Sequence, residues 1–148
     1  MQVERKWIAA FVLLSTLTLL TNCYRPAGHA PSPAAAAEPE ALSRTEFTNR
    51  VENYFEYEPF RTGKASQIRI HLTDLSDGSP VEQAQVTLAM RPKGSQAAAV
   101  QATSRIGKVA GIYVAEITPT KAGEYDIEFH IRNARLDEQM PLSNFKVE

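Results

Sequence analysis

The chain has 148 residues, 43% of them apolar, and a formal charge of −1. That length suits one ordinary globular domain with some chain to spare, and the near-neutral charge removes the electrostatic case for a nucleic-acid partner. Arg61, Lys64, Arg69, Arg91, Lys93, Arg105 and Lys108 are scattered among acidic and neutral residues, so no block of basic side chains marks a phosphate-binding patch.

At the N-terminus, Arg5 and Lys6 precede an apolar run from Ile8 to Leu20. This run is shorter than the roughly 20 residues a membrane-spanning helix needs, and basic residues followed by a short apolar core have the form of an export signal. The only cysteine, Cys23, follows directly after Leu20, Thr21 and Asn22. The junction resembles the lipobox of bacterial lipoproteins, with Asn22 standing where Gly, Ala or Ser is usual. The resemblance implies cleavage after residue 22 and lipidation of Cys23. Two or more acyl chains there would hold the protein stably at a membrane, because each buried methylene contributes ~0.8 kcal/mol. Tyr24 follows the cysteine where an Asp would mark retention in an inner membrane, so the expected place is the periplasmic side of an outer membrane. Lipidated at Cys23, the chain would keep no free thiol and no disulfide.

Residues 23–44 are rich in Ala and Pro and poor in large apolar side chains. Such a segment cannot bury enough surface to offset its ordering entropy and reads as a tether. At ~3 Å per residue where extended, it would hold a domain tens of ångströms from the lipid.

From Thr45 the apolar period becomes two. Ile68, Ile70 and Leu72 alternate with Arg69, His71 and Thr73; Val86, Leu88 and Met90 alternate with Thr87, Ala89 and Arg91. Tyr125, Ile127, Phe129 and Ile131 alternate with Asp126, Glu128, His130 and Arg132, while the run from Ile112 to Ile117 is apolar on both faces. These are half-buried strands separated by breaker segments such as "EPFRTGKA", "SDGSP", "RPKGSQ" and "PTKAG". Six or seven short strands over residues 45–148, with no helical periodicity, predict an all-β, immunoglobulin-like antiparallel sandwich. "TKAGEYDI" resembles the tyrosine corner of that fold, with the Tyr125 hydroxyl expected to bond an upstream backbone group. The core must hold without a disulfide, and the only tryptophan, Trp7, lies in the leader.

The segments "IHLTDLSDGSPVEQAQVTLAM" and "GIYVAEITPTKAGEYDIEFHI", with "TEFTNRVENYFEYEPFRTGKAS" before them, resemble the N-terminal domain of periplasmic adaptor subunits of heavy-metal efflux pumps of the resistance-nodulation-division type. The likeness spans about residues 45–148, and His71 to Leu75, Asp77, Pro80 and Val81 carry its most specific part. It implies an accessory, partner-docking envelope protein in a setting of metal or toxic-compound efflux. Adaptors continue into a lipoyl-like barrel and a helical hairpin, and the sequence to Glu148 contains neither. On this reading the docking residues are Tyr54, Tyr57 and Phe60 in the opening strand, with His71, Asp74 and Asp77 at the end of the next.

The alternative function is capture of a metal ion for an efflux system, using His71, His130, Met90, Met140 and nearby carboxylates. By strand parity His71 and His130 point outward from different sheets and Met90 points inward, so no convergent ligand set is expected, and no cofactor. Asp74 and Asp77 read either as a weak hard-cation site or as side chains of an Asx-stabilised turn. The chain contains no catalytic cysteine, no nucleophile elbow and no phosphate-cradling glycine loop, so no enzyme is expected. Glu56 and Glu58, with Glu52 nearby, read as an acidic edge strand that discourages edge-to-edge pairing.

Overall fold

The computed structural model describes residues 40–148. Cys23, the leader expected over residues 1–22 and the expected tether up to residue 39 lie outside the described residues.

Nine strands follow one another: β1 (Leu42–Phe47), β2 (Val51–Tyr57), β3 (Ser66–Asp74), β4 (Gln85–Pro92), β5 (Val100–Thr103), β6 (Arg105–Ile106), β7 (Ile112–Ile117), β8 (Gly123–Arg132) and β9 (Asp137–Val147). They form two antiparallel sheets, β1-β2-β3-β7-β6 and β5-β4-β8-β9. With β1 set aside, the strand order is that of an immunoglobulin-like sandwich: first, second, fifth and fourth strands face the third, sixth and seventh, with an extra strand beside the third. The all-β sandwich expected from the alternation is therefore the fold observed.

The inward faces are those the period-two pattern marks. Ile68, Ile70 and Leu72 of β3, Val86, Leu88 and Met90 of β4, Tyr113, Ala115 and Ile117 of β7, and Tyr125, Ile127, Phe129 and Ile131 of β8 are all buried. Burying each of these larger apolar side chains contributes roughly 1.5–3 kcal/mol, which stands in for the missing disulfide. At one end of the core the aromatic rings gather. Phe55 lies 5.0 Å from Phe129 between ring centroids, Tyr57 stacks on Phe60 at 5.2 Å, and Phe145 meets Tyr57 edge-on at 5.7 Å.

Both flanks of the sandwich are closed. On one, β5 leaves β4 at Thr103, Ser104 donates its N–H to Val86 O at 2.8 Å, and β6 then pairs with β7, so a single residue carries the chain from one sheet to the other. On the other, Phe60 forms an isolated parallel bridge with Val147, and Arg44 of β1 donates to the carbonyl of Ser143 at 2.9 Å while lying 4.7 Å over the Phe145 ring.

Three expectations are corrected. The tether was to run to residue 44, but Leu42–Phe47 is a strand; it has only modest apolar content, and pairing with β2 rather than its own burial makes it one. The acidic strand carrying Glu52 and Glu56 is not an edge, because β1 covers it; the edge position belongs to β1, whose Arg44 and Glu46 point inward and bond each other, Nε to Oε1, at 3.0 Å. Finally, Phe60 is no surface anchor: it is 2% exposed, drawn into the core by its bridge to β9.

Candidate docking face

The sandwich buries one face of the β1-β2-β3-β7-β6 sheet and leaves the other to solvent, and the register fixes which side chains share that outer face. One row runs Thr45, Tyr54, His71, Ile112 across β1, β2, β3 and β7. The next runs Ser43, Glu56, Arg69, Val114, Arg105, and a third begins Phe47, Glu52, Thr73. Because cross-strand neighbours sit about 5 Å apart, each row is a continuous band of side chains.

In the first row the Tyr54 and His71 rings meet edge-on, with centroids 5.3 Å apart and planes at 65°. Half-buried Ile112 continues the band across β7. In the second row Glu56 stands between two bases: its Oε2 is 3.6 Å from Arg69 Nη1 and 3.8 Å from His71 Nε2. The histidine separation is too long for a hydrogen bond, and Nε2 has lost contact with solvent without gaining a partner, although the side chain as a whole keeps about a third of its surface. Pairs this exposed add little to stability, so the Glu56 cluster chiefly orders the surface. The result is an aromatic and aliphatic band bordered by carboxylates and a guanidinium. Aromatic and arginine side chains with a polar rim are the composition of protein contact surfaces.

The six expected docking residues separate on this surface. Tyr54 and His71 adjoin one another on the outer face. Tyr57 turns inward beside Phe60 and Phe145, and burial raises its hydroxyl pKa, opposed by the Arg44 charge. Phe60 is core. Asp74 is 2% exposed and closes a turn: its Oδ1 accepts from Ser76 N–H at 2.9 Å and from the Ser76 hydroxyl at 2.6 Å. Asp77 repeats this motif on Ser79 N–H at 2.9 Å. Hydrogen bonds from these serines hold both carboxyl pKa values below their usual range, and of the two readings of "DLSD" the Asx-stabilised turn is the one these bonds form, through one oxygen of each carboxylate.

Ile112, Val114 and Arg105 join the face without having been singled out. The signal was present in the two-sided apolar pattern of "GIYVAEI", but only the β3–β7 register sets Ile112 beside His71 and Val114 beside Arg69.

The remaining polar groups are placed apart. His130 lies on the second sheet, its Nε2 2.6 Å from Asp137 Oδ1. Met90 is fully buried, and Met140 lies in the core with its Sδ 3.6 Å from Asn53 Nδ2. Among the described residues no three His, Cys, Asp or Glu side chains converge as a metal-ion site. No protein-family model and no curated protein matches this sequence.

Proposed function

We propose that this protein is a non-enzymatic lipoprotein of the bacterial cell envelope whose sandwich docks a partner protein, as an accessory relative of efflux-pump adaptors. On this reading Cys23 carries the lipid, the Ala/Pro-rich segment spans the gap from the membrane, and the domain faces the periplasm. The carrying observation is the Tyr54–His71–Ile112 band. It lies on a sheet whose opposite face already completes the core, so folding alone does not require an aromatic pair there. The sequence likeness over residues 45–148 supplies the efflux setting, and the "LLTNC" junction supplies the anchor.

The test is site-specific photocrosslinking in cells from Tyr54 and Ile112, with Thr87 on the outer face of the other sheet as the control. Adducts from the first two positions and none from the third are expected. Adducts from all three in equal yield, or from none, would remove the docking face. The anchor is checked separately with a fatty-acid analogue, which should label the wild type and not Cys23→Ser.

A further inference from the structure

Five large apolar side chains stand exposed among the described residues: Leu42, Phe47, Leu75, Ile106 and Val109. Single exposed apolar residues are ordinary, so their distribution is what matters. Leu42 pairs with Tyr57 at one end of the sandwich. The other four lie at the opposite end. Phe47 closes β1 at the turn into β2, Leu75 N–H bonds to Arg50 O in that turn, and Leu72 N–H bonds to Gly111 O at the foot of the β6–β7 hairpin.

The hairpin carries two of these four. Ile106 is 63% exposed and Val109 61%, with Arg105 and Lys108 exposed beside them. The sequence has no acidic residue between Glu82 and Glu116. Its tip is held rather than loose: Gly107 N–H bonds to Ile112 O at 2.7 Å, and the Gly111 carbonyl is bonded to β3 at 2.9 Å. Glu82, in the loop before β4, lines the same surface depression as Ile106, Lys108 and Val109.

We infer that the Arg105–Val109 hairpin tip is a lipid-contacting element that sets Ile106 and Val109 into the boundary between headgroups and acyl chains of an anionic membrane surface, with Arg105 and Lys108 against the phosphates. Exposure and charge point there. Ile106 and Val109 are exposed next to Arg105 and Lys108, and exposed apolar side chains with basic flanks match a negatively charged headgroup interface. Phe47 and Leu75 on the same end would approach the surface next. Arg105 also ends the second row of the outer sheet face, so the inference shares that one residue with the docking face, while Ile106, Lys108 and Val109 belong to the hairpin alone.

The test uses the full chain carrying Cys23→Ser, with an environment-sensitive fluorophore on Val109→Cys and, separately, on Ala97→Cys in the loop at the opposite end. Vesicles of phosphatidylcholine with an anionic phosphatidylglycerol fraction are added, with and without nitroxide-labelled lipid. The apolar run at residues 8–20 brings every variant to the vesicle alike, so the difference between the two label positions is the readout. Blue-shifted emission and nitroxide quenching at position 109 and not at 97, both lost on adding Arg105→Glu and Lys108→Glu in a chain that keeps its β-sheet circular dichroism, are expected. Equal quenching at the two positions, none at 109, or quenching indifferent to the charge reversal would overturn the inference. So would a blue shift at 109 produced only by a soluble envelope-protein fraction, which would reassign the tip to a protein partner.

Discussion

Tyr113 on β7 reaches the loop before β4 and donates its hydroxyl to the carbonyl of Val81, 32 positions earlier, at 2.8 Å. The same oxygen accepts the N–H of Ala84 at 3.0 Å, so one buried hydroxyl satisfies a donor and an acceptor of the loop that joins β3 to β4. Tyr125 makes the simpler contact, donating to Lys121 O at 2.8 Å in a less buried place, as its position in "AGEYDI" predicts. Removing the first hydroxyl leaves a buried N–H without an acceptor, whereas removing the second frees a carbonyl near water. Tyr113→Phe should therefore cost about 2 kcal/mol and Tyr125→Phe about 1 kcal/mol, and Tyr125→Ala several through lost packing. Urea denaturation of the three variants checks this ordering; a smaller loss for Tyr113→Phe than for Tyr125→Phe contradicts it.

Burial also pushes the Tyr113 hydroxyl pKa up, reinforced by the nearby Glu82 charge and opposed by the hydrogen bond from Ala84. A phenol whose pKa is higher in the folded than in the unfolded chain stabilises the fold fully below the unfolded value of about 10, and loses that contribution as pH rises through the folded value. Stability should decline above about pH 10. The gap between wild type and Tyr113→Phe should narrow over the same range, because the variant has no such group to ionise. Denaturation midpoints collected from neutral to strongly alkaline pH test the sign, and a gap that widens refutes it.

Asn53 is fully buried in β2, and its Oδ1 has no hydrogen-bond partner, while its amide nitrogen finds only the sulfur of Met140 at 3.6 Å. An unsatisfied buried carbonyl costs free energy that an apolar side chain of similar size does not. Asn53→Leu should stabilise the domain by about 1 kcal/mol, read as a raised denaturation midpoint with unchanged slope. Destabilisation would mean that a buried water completes the amide.

Gly111 combines a left-handed backbone, φ 75°, with close neighbours: a Cβ placed there would lie 2.7 Å from Pro80 Cβ and 2.9 Å from Leu72 O. Gly94 has a similar φ of 81° and open space around it. Gly94→Ala should cost only backbone strain, about 1 kcal/mol, whereas Gly111→Ala adds a steric clash and should cost about 3 kcal/mol or more. Thermal melts of the pair separate the two contributions, and equal losses would show that the loop holding Pro80 yields freely.

The fold was legible where burial is local. Strands β3, β4 and β8 each bury every second residue, so alternation named their core faces, and the Tyr125 corner followed from turn residues next to a strand start. What stayed hidden depends on partners distant in sequence. Phe60 sits in a run of breakers, and only Val147, on the last strand, makes it core. Asp74 looks like a surface carboxylate until Ser76 folds back onto it. Leu42 to Phe47 carries an Ala/Pro-rich approach and two inward charges, and becomes a strand because β2 offers an edge. Of the docking residues, Tyr54 and His71 could be placed outward by parity alone, but Ile112 joins them through register, which a single sequence does not encode in any one segment.

The flank where β1 and Phe60 meet β9 has a consequence for how the chain folds as it is made. Arg44 and Phe60 find their partners 99 and 87 positions later, in β9, the last of the described strands. Until β9 exists, β8 is paired on its β4 side alone and the Phe55–Phe145 end of the core stays open. Contacts of such long sequence separation are formed slowly, because the loop must close before any bond rewards it. The domain is accordingly expected to gain its full stability only once β9 has paired, and a chain cut before Asp137 should not hold the cooperative fold of residues 40–148.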